Sequence, residues 1–330
     1  MTPAARLVDV AEAAGVSLRT ASRVLNDDHR VAAETRSRVL DVMRTLNFQP
    51  DAVARSLRAG TDISIGFVVE SIADPFFSAA VDSVETALGR HGRPVLVAST
   101  HRDDVREQQV VRRMLERRVA GLLLAPTSGD HTWLRPERVP LVLIDRAAPG
   151  VTADLVDIDD HRAADDAVTH LIDHGHRRIA YIGDTSTIAT SSARLDGFLA
   201  AHARHGLPVA GDLVRSDCSS SREAAAATSE LLAGPAEFTA VFSATTRASL
   251  GIVPMLHARS RTDIAFIGIG DFAMADALTP GITVVDHSGA RVGSAAADRL
   301  VERLTDPGRA VEHIRLPATI IERGSGEIRP

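Results

Sequence analysis

Apolar positions along the first 60 residues recur at helical spacing and nowhere alternate as strands do. Leu7, Val10, Ala11 and Ala14 share one face, and Gly15-Val16-Ser17 then breaks the pattern. A second helix is expected from Ser17 to Leu25, with the Ser17 hydroxyl placed to cap it. A third is expected over 33–46, with Val39, Val42, Met43 and Leu46 on one face. Two short helices joined through a glycine turn form a helix-turn-helix pattern. From residue 62 onward short apolar runs bounded by Gly, Pro or Asp take over: 63–69, 95–98, 121–124, 141–144, 179–182, 240–242, 264–267 and 282–285. Between them lie helical stretches at 76–91, 105–118, 162–174, 192–205, 222–232 and 292–304. Such alternation predicts βαβ units and parallel sheets, and eight strands over this length predict two lobes rather than one core.

Composition changes this picture only slightly. The 330 residues are 45% hydrophobic and 24% charged, which excludes wholesale disorder. Aromatic residues make up only 3%, so the core has to be built from Ala, Val, Leu and Ile. No apolar run approaches the ~18 residues of a membrane span, and the opening MTPAARLVDVAEAAG has no secretory apolar segment, so a cytoplasmic chain is expected. Cys218 is the single cysteine, which excludes an internal disulfide framework and a multi-cysteine zinc site.

Charge is distributed unevenly. The net charge is −6, and every basic residue other than His is Arg. Residues 1–60 nevertheless hold nine Arg against seven acids. The predicted second helix carries residues suited to duplex DNA: Arg19 and Arg23 can pair with guanine edges, and Leu18 offers apolar contact to a thymine methyl. Ser17, Thr20, Ser22 and Asn26 are short donors for phosphates. The bland alternative is a helical hairpin with exposed arginines.

The segment Asp9-Val10-Ala11…Gly15-Val16-Ser17…Thr20-Ala21-Ser22-Arg23-Val24-Leu25-Asn26 resembles the headpiece of the LacI/GalR (lac-repressor) family of bacterial transcription regulators. The likeness continues in order through Phe48-Gln49-Pro50, Ala54-Arg55-Ser56-Leu57-Arg58, Asp74-Pro75-Phe76-Phe77, Ile144-Asp145-Arg146, Gly175-His176-Arg177-Arg178-Ile179, Arg194…Gly197-Phe198 and Leu278-Thr279-Pro280. It implies an all-α helix-turn-helix headpiece followed by an α/β core of two parallel-sheet lobes, similar to periplasmic binding proteins. The expected limits are 1–48 for the head, 49–61 for a hinge, 62–160 plus 288–319 for one lobe, and 161–287 plus 320–330 for the other. The resemblance implies a non-enzymatic regulator without a cofactor. It would act as a homodimer on a pseudo-palindromic double-stranded operator, its affinity set by a small effector. Residues matching Leu18, Arg19 and Arg23 would read the major groove, and those matching Val53, Ala54, Leu57 and Arg58 would form a minor-groove hinge helix whose Leu kinks the duplex. Asp74, Phe76, Phe77, Asp145, Arg146, Arg194, Thr245 and Asp271 are the expected effector contacts, with core packing the alternative for the two Phe and a surface ion pair for Arg194.

Several positions depart from the family pattern. Ala32 replaces a capping Ser, and Asp51 replaces Asn before the hinge. Thr245-Thr246 stand where an Asn-Asp/Asn pair is common, Gly270 where an Asp is, and Cys218 where an aromatic often follows Asp217. These losses weigh against a free-sugar ligand without excluding it. Three other motifs are weaker. Gly268-Ile269-Gly270-Asp271-Phe272-Ala273 matches a dinucleotide fingerprint but leaves too few residues for the helix that must follow. His170, His174 and His176 imitate metal spacing at a helix end, and Cys218 has no base partner in sequence. A solute-binding protein or a sugar-processing enzyme of similar two-lobed fold is the rival reading. Residues 1–60 and the missing leader count against the first, and the lack of a nucleophile–base pair or carboxylate dyad counts against the second.

Overall fold

The structure is a computed structural model that describes residues 5–25, 28–48, 63–136 and 139–330. It divides into two compact units, residues 1–62 and 63–330.

In the first unit, helices α1 (Leu7–Ala13), α2 (Leu18–Leu25) and α3 (Ala33–Thr45) pack around Val10, Ala14, Ala21, Val24, Val39 and Met43. The apolar spacing read along the chain is the spacing of this core. Gly15 ends α1 at φ +63°, a left-handed conformation that glycine adopts without steric cost. Ser17 then caps α2, its Oγ accepting from the Thr20 amide at 3.1 Å. At the start of α3, Ala32 provides no side-chain cap, so that helix begins without the bond a Ser would have supplied. The 49–61 hinge and its residues Val53, Ala54, Leu57 and Arg58 lie outside the described residues, as does Asn26.

The second unit holds two six-stranded sheets. One has the order β11-β5-β4-β3-β1-β2 and is wholly parallel, with β1 Ile65–Val69, β2 Val95–Ser99, β3 Gly121–Leu124, β4 Leu141–Ile144, β5 Asp154–Ile158 and β11 His313–Leu316. Helices α4 (Pro75–Gly89), α5 (Asp104–Glu116) and α10 (Gly289–Thr305) cover it. The other sheet has the order β12-β10-β9-β8-β6-β7: β6 Ile179–Ile182, β7 Val214–Arg215, β8 Ala240–Ser243, β9 Ala265–Ile269, β10 Thr283–Val285 and β12 Ile320–Ile321. Only β12 runs antiparallel in it. Its helices are α6 (Asp160–Asp173), α7 (Ala189–Arg204), α8 (Ser221–Ala233) and α9 (Thr246–Ala258). The chain crosses between sheets three times: after β5, after β10 and after β11.

The eight predicted strand runs all reappear, but β5, β7, β11 and β12 carried no apolar-run signal. Strand β5 is fully buried yet reads Asp-Leu-Val-Asp-Ile. Its acids are tolerated because each is paired: Asp154 Oδ1 accepts from Arg299 at 2.8 Å, and Asp157 Oδ1 lies 2.8 Å from His313.

Helix α10 crosses α4 at very short range because Gly289 and Gly293 face it. A Cβ at Gly289 would collide with the carbonyl oxygen of Phe76, and one at Gly293 would come 2.5 Å from that of Ala80. This contact seats the first turn of α4, which carries Phe76 and Phe77. Gly289→Ala should therefore force the helices apart and cost about 1–3 kcal/mol of stability, read as a lowered urea midpoint.

Candidate functional site

Helix α2 buries Ala21 and Val24 and turns its other face outward: Leu18 is 50% exposed and Arg19 is also exposed. Ser17 and Thr20 hydroxyls lie 2.9 Å apart at its N-terminus, and Ser22 is half-buried. Arg23 stands 3.7 Å from Asp28, whose carboxylate also takes two hydrogen bonds from the Arg30 guanidinium. The Arg30 bonds hold Asp28 far below the usual carboxylate range. Asp28 thus tethers the neighbouring loop and orients Arg23, while Arg19 and Leu18 are presented to solvent.

In the core unit, the carboxyl ends of the strands of both sheets converge on one polar cleft, the position where open parallel sheets bind ligands. Glu70 follows β1. Asp74 caps α4, its Oδ1 accepting from the Phe76 amide at 3.0 Å. Asp145 and Arg146 follow β4, with Asp145 held at φ +72°, a left-handed conformation unusual for a residue with a side chain. From the other lobe come Asp184 after β6, Arg194 on α7, Thr245 and Thr246 after β8, and Arg247 on α9; His287 lies on a crossover. The lining of the inner chamber carries four carboxylates (Glu70, Asp74, Asp145, Asp184) and four guanidiniums (Arg102, Arg146, Arg194, Arg247), with Asp160 a further acid bonded to Arg194.

Each charge has a partner. Arg146 Nη2 lies 2.6 Å from Asp145 and 3.6 Å from Glu70. Arg194, only 5% exposed, donates from Nε to Asp160 at 2.7 Å and from Nη1 to the Ala244 carbonyl at 2.8 Å. Burial opposes ionisation of Glu70, but Arg146, Arg102 and Arg247 outweigh it and hold the carboxyl below its usual range. Asp160 is pushed the other way, up to about 6, by burial together with the nearby Asp145 charge, although Arg194 opposes the rise. Burial and the adjacent Arg194 push His287 down to about 3, so its ring is neutral at pH 7. That neutral ring stacks on Phe76 with centroids 4.2 Å apart and planes 2° from parallel. Phe76 meets Phe77 edge-on at 5.1 Å, and together they form the apolar wall.

The cleft has two chambers. The inner one has a volume of about 60 Å³. A second, of about 280 Å³, shares Glu70, Arg102, Arg146 and Ile188 with it and adds hydroxyls of Thr100, Thr127, Ser128, Thr185 and Thr187. Among the described residues, Thr127 Oγ1 is buried without a hydrogen-bond partner. Its loop is tied down by Glu107, which accepts from the Thr127 amide at 2.7 Å and meets His131 Nε2 at 2.7 Å.

Seven of the eight expected effector contacts line the cleft: Asp74, Phe76, Phe77, Asp145, Arg146, Arg194 and Thr245. Asp271 does not. It is exposed and ion-paired with Arg323, whose Nη1 donates to it at 2.7 Å, and it belongs to the turn after β9. Glu70, Arg102, Asp184, Arg247 and His287 also line the cleft and were not among the expected contacts. Their signal was positional, since Glu70, Asp184 and His287 fall within two residues of a strand's carboxyl end. The weaker motifs have structural roles. His170 bonds Glu327 at 2.7 Å, and His176 bonds Thr239 and the Ile328 carbonyl, so these rings pin the chain's last residues to the lobe. Residues 273–278 form turns rather than the helix a dinucleotide site needs. Cys218 is buried, and burial pushes its thiol up to about 11.

A two-lobed binding core preceded by a helix-turn-helix unit defines a ligand-responsive transcription regulator rather than an enzyme. Comparison with known proteins narrows the class. Residues 6–51 match the family model "Bacterial regulatory proteins, lacI family", and residues 62–323 match "Periplasmic binding proteins and sugar binding domain of LacI family". The ribose operon repressor of Escherichia coli (strain K12) is 30% identical over 328 residues, covering 97% of this chain and 99% of that one. The transcriptional repressor PurR of Pasteurella multocida is 30% identical over 332 residues, covering 98% and 99%. The lac repressor dimer bound to operator and the anti-inducer ONPF shares the fold, with a TM-score of 0.86 at 24% identity over 98% of this chain and 99% of that one. The chain belongs to the LacI family of bacterial regulatory proteins: it is a DNA-binding transcription regulator with an effector-binding core. Among the described residues, no helix is long and apolar enough to cross a membrane.

The Glu107–His131 pair gives a pH-dependent prediction. Burial lowers the His131 pKa, but the hydrogen bond and charge of Glu107 outweigh it and raise the imidazole above 6.5. Stability from this pair is therefore complete below pH 6.5 and lost as pH rises through the raised folded value. Glu107→Gln should cost on the order of 3 kcal/mol at pH 6, with the gap to the parent narrowing at higher pH in urea titrations from pH 5.5 to 9.

Proposed function

We propose that the chain is a cytoplasmic repressor that binds a pseudo-palindromic operator as a homodimer and whose effector is a neutral, polyhydroxylated small molecule of the sugar class. The observation that carries the effector class is the cleft lining: its carboxylates and guanidiniums are already ion-paired with one another or with neighbours, beside an apolar aromatic wall and next to a chamber rich in hydroxyls. A charged ligand would have to break ion pairs already formed in a partly desolvated cleft, at considerable cost. Hydroxyl groups impose no such cost, since each donates to a carboxylate and accepts from a guanidinium while a sugar's apolar face packs on Phe76. Relatives named for ribose support the reading, as does a structurally similar regulator, CelR, described in complex with cellobiose. The family positions changed here, Thr245 and Gly270, then mean that hydrogen bonding has passed to Glu70, Arg102 and Arg247.

For DNA, the head (1–48) would place α2 in the major groove, with Leu18, Arg19 and Arg23 on base edges and Ser17, Thr20, Ser22 and Asn26 on phosphates. The hinge (49–61), with Val53, Ala54, Leu57 and Arg58, would enter the minor groove. In this reading 62–160 plus 288–319 and 161–287 plus 320–330 are the lobes whose relative angle the effector changes, and operator affinity follows by linkage.

A thermal-shift screen of pentoses, hexoses, sugar phosphates and nucleosides tests the effector class, because a ligand that binds only the folded state raises its stability. Stabilisation by sugar phosphates alone would overturn the neutral-ligand assignment. Arg194→Ala should abolish the shift from any hit and should itself cost on the order of 3 kcal/mol, since it strands Asp160 in the interior. On DNA, Arg23→Ala should lose about 1–3 kcal/mol of discrimination between operator and mismatched duplex. Equal titration curves for parent and variant in a gel shift would remove Arg23 from base reading.

A further inference from the structure

The lobes touch across the cleft through charges. Arg247 belongs to one lobe, and its Nη2 donates to two carboxylates of the other, Glu70 Oε1 at 2.9 Å and Asp74 Oδ2 at 2.6 Å. Its Nη1 is braced on its own lobe by the Ser219 carbonyl at 3.0 Å. Arg102 makes the return link, donating from Nε to Glu70 at 2.8 Å in its own lobe and from Nη1 to Asp184 at 3.0 Å in the other. Glu70 and Asp184 side chains are only 9% and 4% exposed, so these pairs are screened far less than surface ones. The inner chamber between them, about 60 Å³, is well below the roughly 300 Å³ at which ligand pockets begin. Arg247 and its two partners wall the inner chamber, and the second chamber of about 280 Å³ opens beside them through the shared Glu70 and Arg102.

We propose that Arg247 is an internal latch: without effector it closes the cleft by bridging Glu70 and Asp74, and the effector binds by displacing it from those carboxylates. The inference rests on the cleft being the effector site. It makes Arg247 a residue that sets specificity. A ligand has to offer hydroxyls that satisfy both Glu70 and Asp74 once the guanidinium leaves, and smaller polar molecules cannot. It also makes the ligand-free protein mostly closed, so that effector affinity is reduced by the scarcity of the open form.

The test measures closure directly in the full chain without effector or DNA. Spin labels at Ala73→Cys and Arg222→Cys, both exposed positions on opposite lobes, in a Cys218→Ala background report the interlobe distance by double electron–electron resonance. The parent should give one dominant short distance. Arg247→Ala should raise the longer-distance fraction at least fivefold, and Arg247→Lys should restore part of the closure. Asp74→Asn keeps an oxygen to cap α4 while losing one latch carboxylate, and it should raise the open fraction about twofold even if Arg247→Ala folds poorly. Parental distance distributions in both Arg247→Ala and Asp74→Asn would overturn the latch. Operator titration separates the two ideas: a protein that opens in Arg247→Ala but selects no operator keeps the latch and loses the regulator reading.

Discussion

Charge burial between the lobes is the constraint on which the rest of this molecule depends. Carboxylates and guanidiniums taken out of water are tolerable only in pairs, and removal of one partner leaves the other with an unpaid desolvation cost. That rule accounts for local features that otherwise look unrelated. Asp145 adopts a left-handed backbone beside Arg146 and Arg194; burial, with the Asp145 charge adding to it, pushes Asp160 up to about 6; and burial, with two guanidiniums nearby, keeps His287 neutral. It also means that cleft positions do not vary independently. An arginine at 247 is acceptable because Glu70, Asp74 and Asp184 surround it.

The parallel sheets make such a cluster possible. Strands of one sense deliver all their carboxyl ends to one edge, and two sheets joined by three crossovers bring two such edges face to face. Helix N-termini arrive at the same place, as Asp74 on α4 and Thr245 on α9 show by capping their helices from within the cleft. Close helix packing through Gly289 and Gly293 then fixes the aromatic wall against the polar floor.

Much of this was legible in the residues. Strands with uninterrupted apolar runs, such as Leu141–Ile144, announce themselves because both faces are buried. Strand β5 did not, because its Asp154 and Asp157 look solvent-exposed until their arginine and histidine partners, more than 140 residues away, are folded onto them. The same non-locality hid Glu70 and Arg247: each is an ordinary charged residue whose meaning lies in a contact 177 residues distant. Asp271 shows the reverse failure. Position after a strand was right, but a local partner, Arg323, holds its carboxylate at the surface.

A ligand can shift the lobes only by as much as it binds one arrangement better than the other. Here the cross-lobe carboxylates and guanidiniums already satisfy one another, so a molecule that merely filled the second chamber would leave those pairs unchanged and gain little preference for either state. Effective ligands must interact with the groups whose partners change when the lobes move, namely Glu70, Asp74 and Asp184 on one side of the exchange and Arg102 and Arg247 on the other. Regulatory power in this cleft therefore depends less on how tightly a compound fits than on how completely it replaces the cross-lobe ion pairs.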